Sequence, residues 1–536
     1  MTTQRTIAGP ALAGARAGAL VLVAAMYFLG LGNGSLWDNS EPTYGEVVKE
    51  MFRTGDWLSM HYNYAPWFIH PPLWFWTAGA AVIAFGLNEF AMRLPSALFG
   101  VLGAVATYWA GRRMFGEIGG LVSGLALATS LEYLVLARLA ILDTMLIFFM
   151  TLATVWGYFA LRDGDRRAFW IAIAGAAAGT MTKGPVAIVL PVLVLACWYA
   201  IERWRGPIRA PGLPWVGGVA VYLLLAGLWF ASQIVVHGTP FLAEYVGRST
   251  FGRYLTPFEN QPGPFYYYVP LLLLGFFPWV AFLPKAIKEA WLARREDDVF
   301  LLCAAGIPFV FFSIAQTKLP NYLAIIFPAL ALLVGGLIGR AIERGEPRML
   351  RGALLMLPLA LVLLAVAIML YVQTQRLGAT AELVAPLTLL GWIVVPAAMA
   401  TFALTLVLRR AWIAPMGLAV MMGGVVAALV LTILPPLEAR KPMKGMASYI
   451  QSLWQPGDVI AITGVHGGFS LLFYTNAGPI SFLRTQTDKA NADALLRGKA
   501  RVWALIVPYE YADLRQRGIT ARIVLRRPDM WLITNR

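Results

Sequence analysis

The residues best equipped for chemistry stand in one polar stretch after the first hydrophobic run. It reads Leu36-Trp37-Asp38-Asn39-Ser40-Glu41-Pro42-Thr43-Tyr44-Gly45-Glu46, and later Trp67-Phe68-Ile69-His70-Pro71-Pro72. Acids and a histidine beside a lipid-soluble segment are costly to keep, so such a cluster marks a functional site. Further polar stretches are Ala137-Arg138-Leu139-Ala140-Ile141-Leu142-Asp143, Thr182-Lys183-Gly184-Pro185, Arg248 and Arg253 with Glu259, and Thr317-Lys318-Leu319-Pro320-Asn321-Tyr322. A carboxylate can take the proton of an attacking hydroxyl, and Lys or Arg can neutralise charge developing on a phosphate leaving group. Together they suit an anionic substrate carried on lipid. His61 and His70 lack metal-ligand spacing, and the chain has no P-loop, dinucleotide fingerprint, HExxH or CxxC. Without a nucleotide site, an activated donor has to arrive already attached to lipid. Structural roles are open for the same residues. Asp143 is placed to cap the following helix, Lys183 and Lys318 to snorkel, and Tyr266, Tyr267 and Tyr268 to form an interfacial aromatic belt.

The elements that must position these residues are membrane helices. Of 536 residues, 59% are hydrophobic and 13% charged, against roughly 25% charged in a soluble protein. Repeated apolar runs of about 18–22 residues define a polytopic α-helical membrane protein with about 13 transmembrane helices. The spans read as 12–32, 92–110, 117–136, 143–161, 167–182, 184–201, 214–234, 265–285, 298–315, 320–339, 350–371, 386–408 and 413–434. Lys and Arg gather in alternate loops, at Arg112-Arg113, Arg203/Arg205, Arg294-Arg295, Arg340/Arg344 and Arg409-Arg410. Such loops face the cytoplasm, which leaves every polar stretch above, and the tail, on the other side. The alternation holds only if Pro72–Leu87 is no span. It is expected to lie along the outer interface with Trp74 and Trp76 at headgroup level, beside a second interfacial helix over Glu41–Thr54 with Val47, Val48 and Met51 on one face. The net charge of +15 is thus a topology signal, with no basic stripe or motif for nucleic acid. Cys197 and Cys303 both lie in apolar runs and suggest neither disulfide nor thiolate metal site.

Composition changes at Pro435-Pro436. Residues 1–436 form the transmembrane domain, and 437–536 read as a small extracytoplasmic α/β domain. Its expected elements are helix 443–454, strands Val459–Ile462, Ile480–Leu483 and Val502–Val507, helices 490–498 and 509–517, and a hairpin over Arg522–Ile533. The repeats Gly120-xxx-Gly124 and Gly175-xxx-Gly179 read as helix-packing surfaces.

At its outer loops the chain resembles the polyprenyl-phosphate-dependent glycosyltransferases of the C-type fold, especially the aminoarabinose transferase of lipid A and the protein-mannosyltransferase-like group. The family's Asp-Glu-x-x-Tyr-x-Glu and Gly-Asp-Trp correspond to Ser40-Glu41-Pro42-Thr43-Tyr44-Gly45-Glu46 and Gly55-Asp56-Trp57. Its second-loop Asp falls on Asp143, its Thr-Lys-Gly on Thr182-Lys183-Gly184, and its Arg-aromatic pair on Arg253-Tyr254. Pro264–Tyr268 and Lys318–Tyr322 match its Pro-Phe-Trp-Tyr-Tyr, with Tyr266 for Trp, and its Lys-Leu-Pro-x-Tyr. The resemblance implies an inverting glycosyltransferase of a bacterial inner membrane, its N-terminus cytoplasmic and its active site periplasmic. A sugar would pass from a polyprenyl-phosphate donor to a lipid, glycan or protein acceptor. Glu41, Asp143 or Asp38 would supply the base, and Lys183, Arg253, Lys318, His70, Tyr322, Tyr44 and Arg138 would bind substrate. Ser40 replaces the first acid of the family's pair, and Phe68-Ile69-His70-Pro71 replaces its Phe-Glu-Lys-Pro. Thr250 stands where relatives have a His. The lost acid and the lost His are the pair that binds metal in the aminoarabinose transferase, so no equivalent metal site is expected. A lipid-linked-sugar flippase and a non-catalytic sugar-binding relative are the alternatives.

Overall fold

The structure is a computed structural model and describes residues 9–37, 39–206, 211–256, 261–351, 392, 396–438, 441, 443–463, 468–476, 478–483, 486–527 and 530–536. They form two compact units. One holds Met1–Gly32, Phe68–Trp74 and Arg93–Pro436; the other holds Asn33–Trp67, Phe75–Met92 and Leu437–Arg536.

The larger unit is helical and belongs to a multi-pass membrane protein. Its helices are α1 (Gly9–Phe28), most of α4 (Glu89–Ala128), α5 (Leu131–Leu136), α6 (Asp143–Asp163), α7 (Arg166–Lys183) and α8 (Val186–Arg205). They continue as α9 (Trp215–His237), a run in three pieces (Thr239–Phe241, Leu242–Gly252 and Arg253–Leu255; α10), and α11 (Tyr268–Gly275) with α12 (Trp279–Ala293). Last come α13 (Glu296–Ile314), α14 (Pro320–Glu343), α15 (Pro396–Val407) and α16 (Ile413–Glu438). Among the described residues, 7 helices are long and apolar enough to cross a membrane, or 8 if α11 and α12 count as one.

Three expectations are corrected here. The spans read at 92–110 and 117–136 are two helices meeting within α4 at Gly116, where φ is 76°, but the second stops at Ala128 and Leu131–Leu136 is a separate helix. The span read at 265–285 is two helices bent by 107°, separated at Phe276-Phe277-Pro278, where proline lacks the N–H that would continue the helix. Trp74 is fully buried rather than exposed at headgroup level. Residues 352–371 of the span read at 350–371, and 386–391 and 393–395 of that read at 386–408, lie outside the described residues. The small-residue stripes do pack backbones closely. A Cβ on Gly120 would lie 2.6 Å from both the Tyr108 carbonyl oxygen and the Arg112 nitrogen.

The second unit carries α2 (Ser40–Thr54), a short hairpin of β1 (His61–Tyr62) and β2 (Ala65–Pro66), and most of α3 (Leu73–Phe85). Val47, Val48 and Met51 of α2 are fully buried, as an amphipathic helix requires. The tail adds α17 (Met443–Leu453), β3 (Val459–Thr463), α18 (Ser470–Tyr474), β4 (Ile480–Leu483), α19 (Gln486–Arg497), β5 (Val502–Ile506), α20 (Pro508–Gln516), β6 (Arg522–Arg526) and β7 (Trp531–Thr534). The sheet order is β4-β3-β5-β7-β6. β3 pairs in parallel with β4 and β5, while β7 runs antiparallel to β5 and β6. Every residue of β5 is buried because hydrophobic clusters cover both sheet faces.

Candidate active site

Of the charged residues singled out in the larger unit, Asp143, Lys183 and Arg253 converge on one cavity of about 490 Å³, which His70, Asn321 and Tyr322 also line. Asp143 opens α6 and is buried. It does not cap that helix, because Leu142 holds the capping position. Its Oδ1 instead accepts hydrogen bonds from Lys183 Nζ at 2.7 Å and Asn321 Nδ2 at 2.8 Å. The helix amino terminus adds a favourable dipole for the carboxylate.

Lys183 is the last residue of α7, and the chain turns sharply after it. Gly184 has φ of 92°, and a Cβ there would collide with the Tyr245 hydroxyl, so the Thr-Lys-Gly motif needs its glycine. The Lys183 ammonium also lies 5.5 Å from the centre of the Tyr322 ring, a cation–π distance. Arg253 Nη1 donates to the Tyr322 hydroxyl at 3.3 Å. Tyr322 thus lies between two cations, with Asn321 beside it on Asp143.

His70 is buried in the same cavity. Burial pushes its imidazole well below its ordinary pKa, and the charges of Lys183 and Arg253 push it further. Ile69 and Thr250 also line the cavity, and Thr250 donates its hydroxyl to the Tyr245 carbonyl at 2.8 Å. Neither Ile69 nor Thr250 is a donor that suits a divalent transition metal, and His70 faces two cations.

Two candidates are engaged by helix ends. Arg138 donates to the carbonyls of Met26 at 2.7 Å, Tyr27 at 3.1 Å and Leu29 at 2.7 Å, where α1 finishes. Lys318 donates to the carbonyls of Phe312 at 2.9 Å and Ser313 at 2.6 Å, where α13 finishes. Each cation satisfies carbonyls that have no partner within their helix.

The first-loop candidates belong to the second unit. Glu41 is buried in the first turn of α2, and its Oε2 accepts the Trp37 N–H at 2.7 Å. Tyr44 packs edge-on against Trp67 and Phe75, with ring centres 6.2 and 5.8 Å away. Asp38 lies outside the described residues. Sequence reasoning missed Asn321 and Tyr245. Asn321 sits at the variable position of Lys-Leu-Pro-x-Tyr, and the only signal for it was a side-chain amide next to a proline in a polar loop.

Comparison with known proteins accords with this geometry. Residues 69–230 match the family described as dolichyl-phosphate-mannose-protein mannosyltransferase. The undecaprenyl phosphate-α-4-amino-4-deoxy-L-arabinose arabinosyl transferase of Edwardsiella ictaluri is 31% identical over 342 residues, 62% of this chain and 61% of that protein. Its namesake from Pseudomonas aeruginosa is 30% identical over 370 residues, 67% of this chain and 65% of that protein. The chain spans about three fifths of the length of the curated relatives it matches. The crystal structure of ArnT from Cupriavidus metallidurans bound to undecaprenyl phosphate superposes with a TM-score of 0.81 at 23% identity, covering 98% of both chains. The chain has the C-type glycosyltransferase fold. Its likeness to the undecaprenyl phosphate-aminoarabinose arabinosyl transferases extends from fold to sequence, and Lys183 and Asp143 fall within the mannosyltransferase-like segment.

Proposed function

We propose that this protein is an inverting glycosyltransferase that moves a sugar from a polyprenyl-phosphate donor to a lipid, glycan or protein acceptor. The observation that carries this reading is the buried Asp143–Lys183 pair at 2.7 Å, set beside Arg253 and His70 in one cavity. Lys183 and Arg253 would hold the donor phosphate. An acceptor oxygen then attacks C1 of the sugar, the bond from C1 to the phosphate oxygen breaks, and polyprenyl phosphate leaves with inversion at C1. The two cations stabilise the charge that grows on the leaving oxygen.

A carboxylate oxygen that already fixes an ammonium and an amide is better suited to orientation than to proton removal. We therefore assign Asp143 to holding Lys183, and Glu41 or Asp38 to deprotonating an acceptor hydroxyl. An acceptor that is already ionised, such as a lipid phosphate, needs no base, which accommodates Ser40 in place of an acid. Arg138 and Lys318 are assigned to helix ends, and Tyr44 to the wall of the first loop. The unfit donors Ile69 and Thr250 support a reaction without a resident metal. The charge pattern of the loops supports an orientation with the N-terminus in the cytoplasm and the site and tail outside.

The test is single-turnover transfer from radiolabelled polyprenyl-phosphate sugars to membrane lipid and glycan extracts. A labelled acceptor formed by the wild type and lost in Lys183→Met supports the reading. Donor binding without turnover across the panel would overturn it.

A further inference from the structure

Within the second unit, the first outer loop is stapled to the C-terminal domain by partly buried bonds. Lys49 sits one turn from Glu46 on α2, and its ammonium approaches Glu46 Oε2 at 2.6 Å. The same ammonium donates to the carbonyls of Thr475 at 2.8 Å, Phe473 at 3.3 Å and Leu472. These are oxygens at the carboxyl end of α18, where a helix leaves its carbonyls unpaired and carries partial negative charge. Gly45 permits the approach, because a Cβ there would come within 2.7 Å of the Phe473 ring. Other bonds surround the joint. The Tyr474 hydroxyl accepts the Leu36 N–H at 2.7 Å and donates to Glu89 at 2.9 Å. Asn63 exchanges two bonds with the backbone of Ile480, at 2.9 and 2.8 Å.

We propose that Lys49 is a positioning residue: it clamps α2 to the end of α18, so that the C-terminal domain sets where the acids of α2 stand. A cation does this better than a neutral donor because its three N–H groups are shared among the carbonyls of α18 and the Glu46 carboxyl, and a charge-assisted bond is stronger than its neutral counterpart. The side chain is only 11% exposed, so its removal leaves several buried oxygens unpaired. The tail is then a working part of the transferase and not merely a cover for it. This inference rests on the proposed reading that an acid of α2 takes part in transfer.

The test uses the full-length protein in nanodiscs, with Lys49→Met, Lys49→Arg and Tyr474→Phe. Lys49→Met is expected to lower kcat about tenfold or more while donor KM stays within about twofold, since misplacing a reacting group acts on the transition state alone. Lys49→Arg is expected to recover most of the rate, because a guanidinium can donate to the same carbonyls. Hydrogen exchange of the α2 amides is expected to quicken at least about fivefold in Lys49→Met, with β3 and β5 unchanged. Tyr474→Phe, which keeps the ring and loses only the hydroxyl, gives the same pattern more weakly and serves if Lys49→Met does not fold. Unchanged kcat and unchanged α2 exchange in either variant would overturn the proposal, as would an equal loss with Arg and Met. If the wild type transfers no sugar at all, the functional reading fails, and α2 exchange still decides whether the clamp exists.

Discussion

At the scale of single residues, the cavity joins one carboxylate, two cations and an imidazole, with Asp143 and Lys183 holding each other and Arg253 on the Tyr322 hydroxyl. Asp143→Asn keeps the shape but removes the charge opposite Lys183. Loss of such a buried partner leaves an ammonium unpaired, and transfer is expected to fall by about 10²-fold with weaker donor binding, measured by single-turnover kinetics. His70 leads to a pH effect. Its pKa is depressed by burial and by Lys183 and Arg253, and a bound phosphate supplies the opposite charge that raises it again. Binding then takes up a proton, so affinity for polyprenyl phosphate is expected to rise as pH falls from neutrality. Calorimetry at several pH values checks this, and His70→Gln should flatten the slope. Ile69 and Thr250 lead to a third expectation: exhaustive chelation leaves the initial rate within about twofold, because neither side chain is a metal donor.

At the scale of elements, the decisive feature is where helices stop. α7 ends at Lys183 and turns at Gly184, α6 begins at Asp143, and α14 begins at Pro320 just before Asn321 and Tyr322. Three helix ends thus deliver the polar groups, while the helix bodies stay apolar. Gly184→Ala would force a Cβ against the Tyr245 hydroxyl at φ of 92°. Strain of this kind costs about 1–3 kcal/mol. A lower midpoint in thermal unfolding is expected, together with a larger loss of transfer than of fold, because Lys183 is displaced.

At the scale of the molecule, the second unit is built from three separated segments of chain, and its buried charges make it sensitive to pH. Burial pushes Glu46 from 4.5 up to about 8, and Lys49 only partly restores it. A carboxyl with a raised folded-state pKa binds its proton more tightly when folded. Its contribution to stability is therefore complete below about 4.5 and is lost as pH rises through about 8. Unfolding of this unit, followed by hydrogen exchange of β3 and β5, is expected to become easier across that window. Glu46→Gln, which cannot ionise, should remove the slope.

Much of this organisation was legible in the sequence because it depends on local chemistry. Long apolar runs force membrane helices, since lipid offers no partners for backbone polar groups. Alternation and turn residues marked the elements of the tail to within a few residues, and the order of short motifs pointed to Asp143, Lys183, Arg253 and Tyr322. Reading spans by hydropathy alone could not reveal the bend between α11 and α12, because the apolar run continues unbroken from Val269 through Phe276-Phe277-Pro278 to Pro284. Nor could it reveal the burial of Trp74, which depends on what packs against it. Sequence by itself determined the class of the molecule, its helices and the residue types available for chemistry. Only the tertiary structure decided which cations line the cavity, because Lys318 and Lys183 look alike in sequence and differ in partner. One ends on helix carbonyls, while the other is held beside a cavity by a carboxylate 40 residues away.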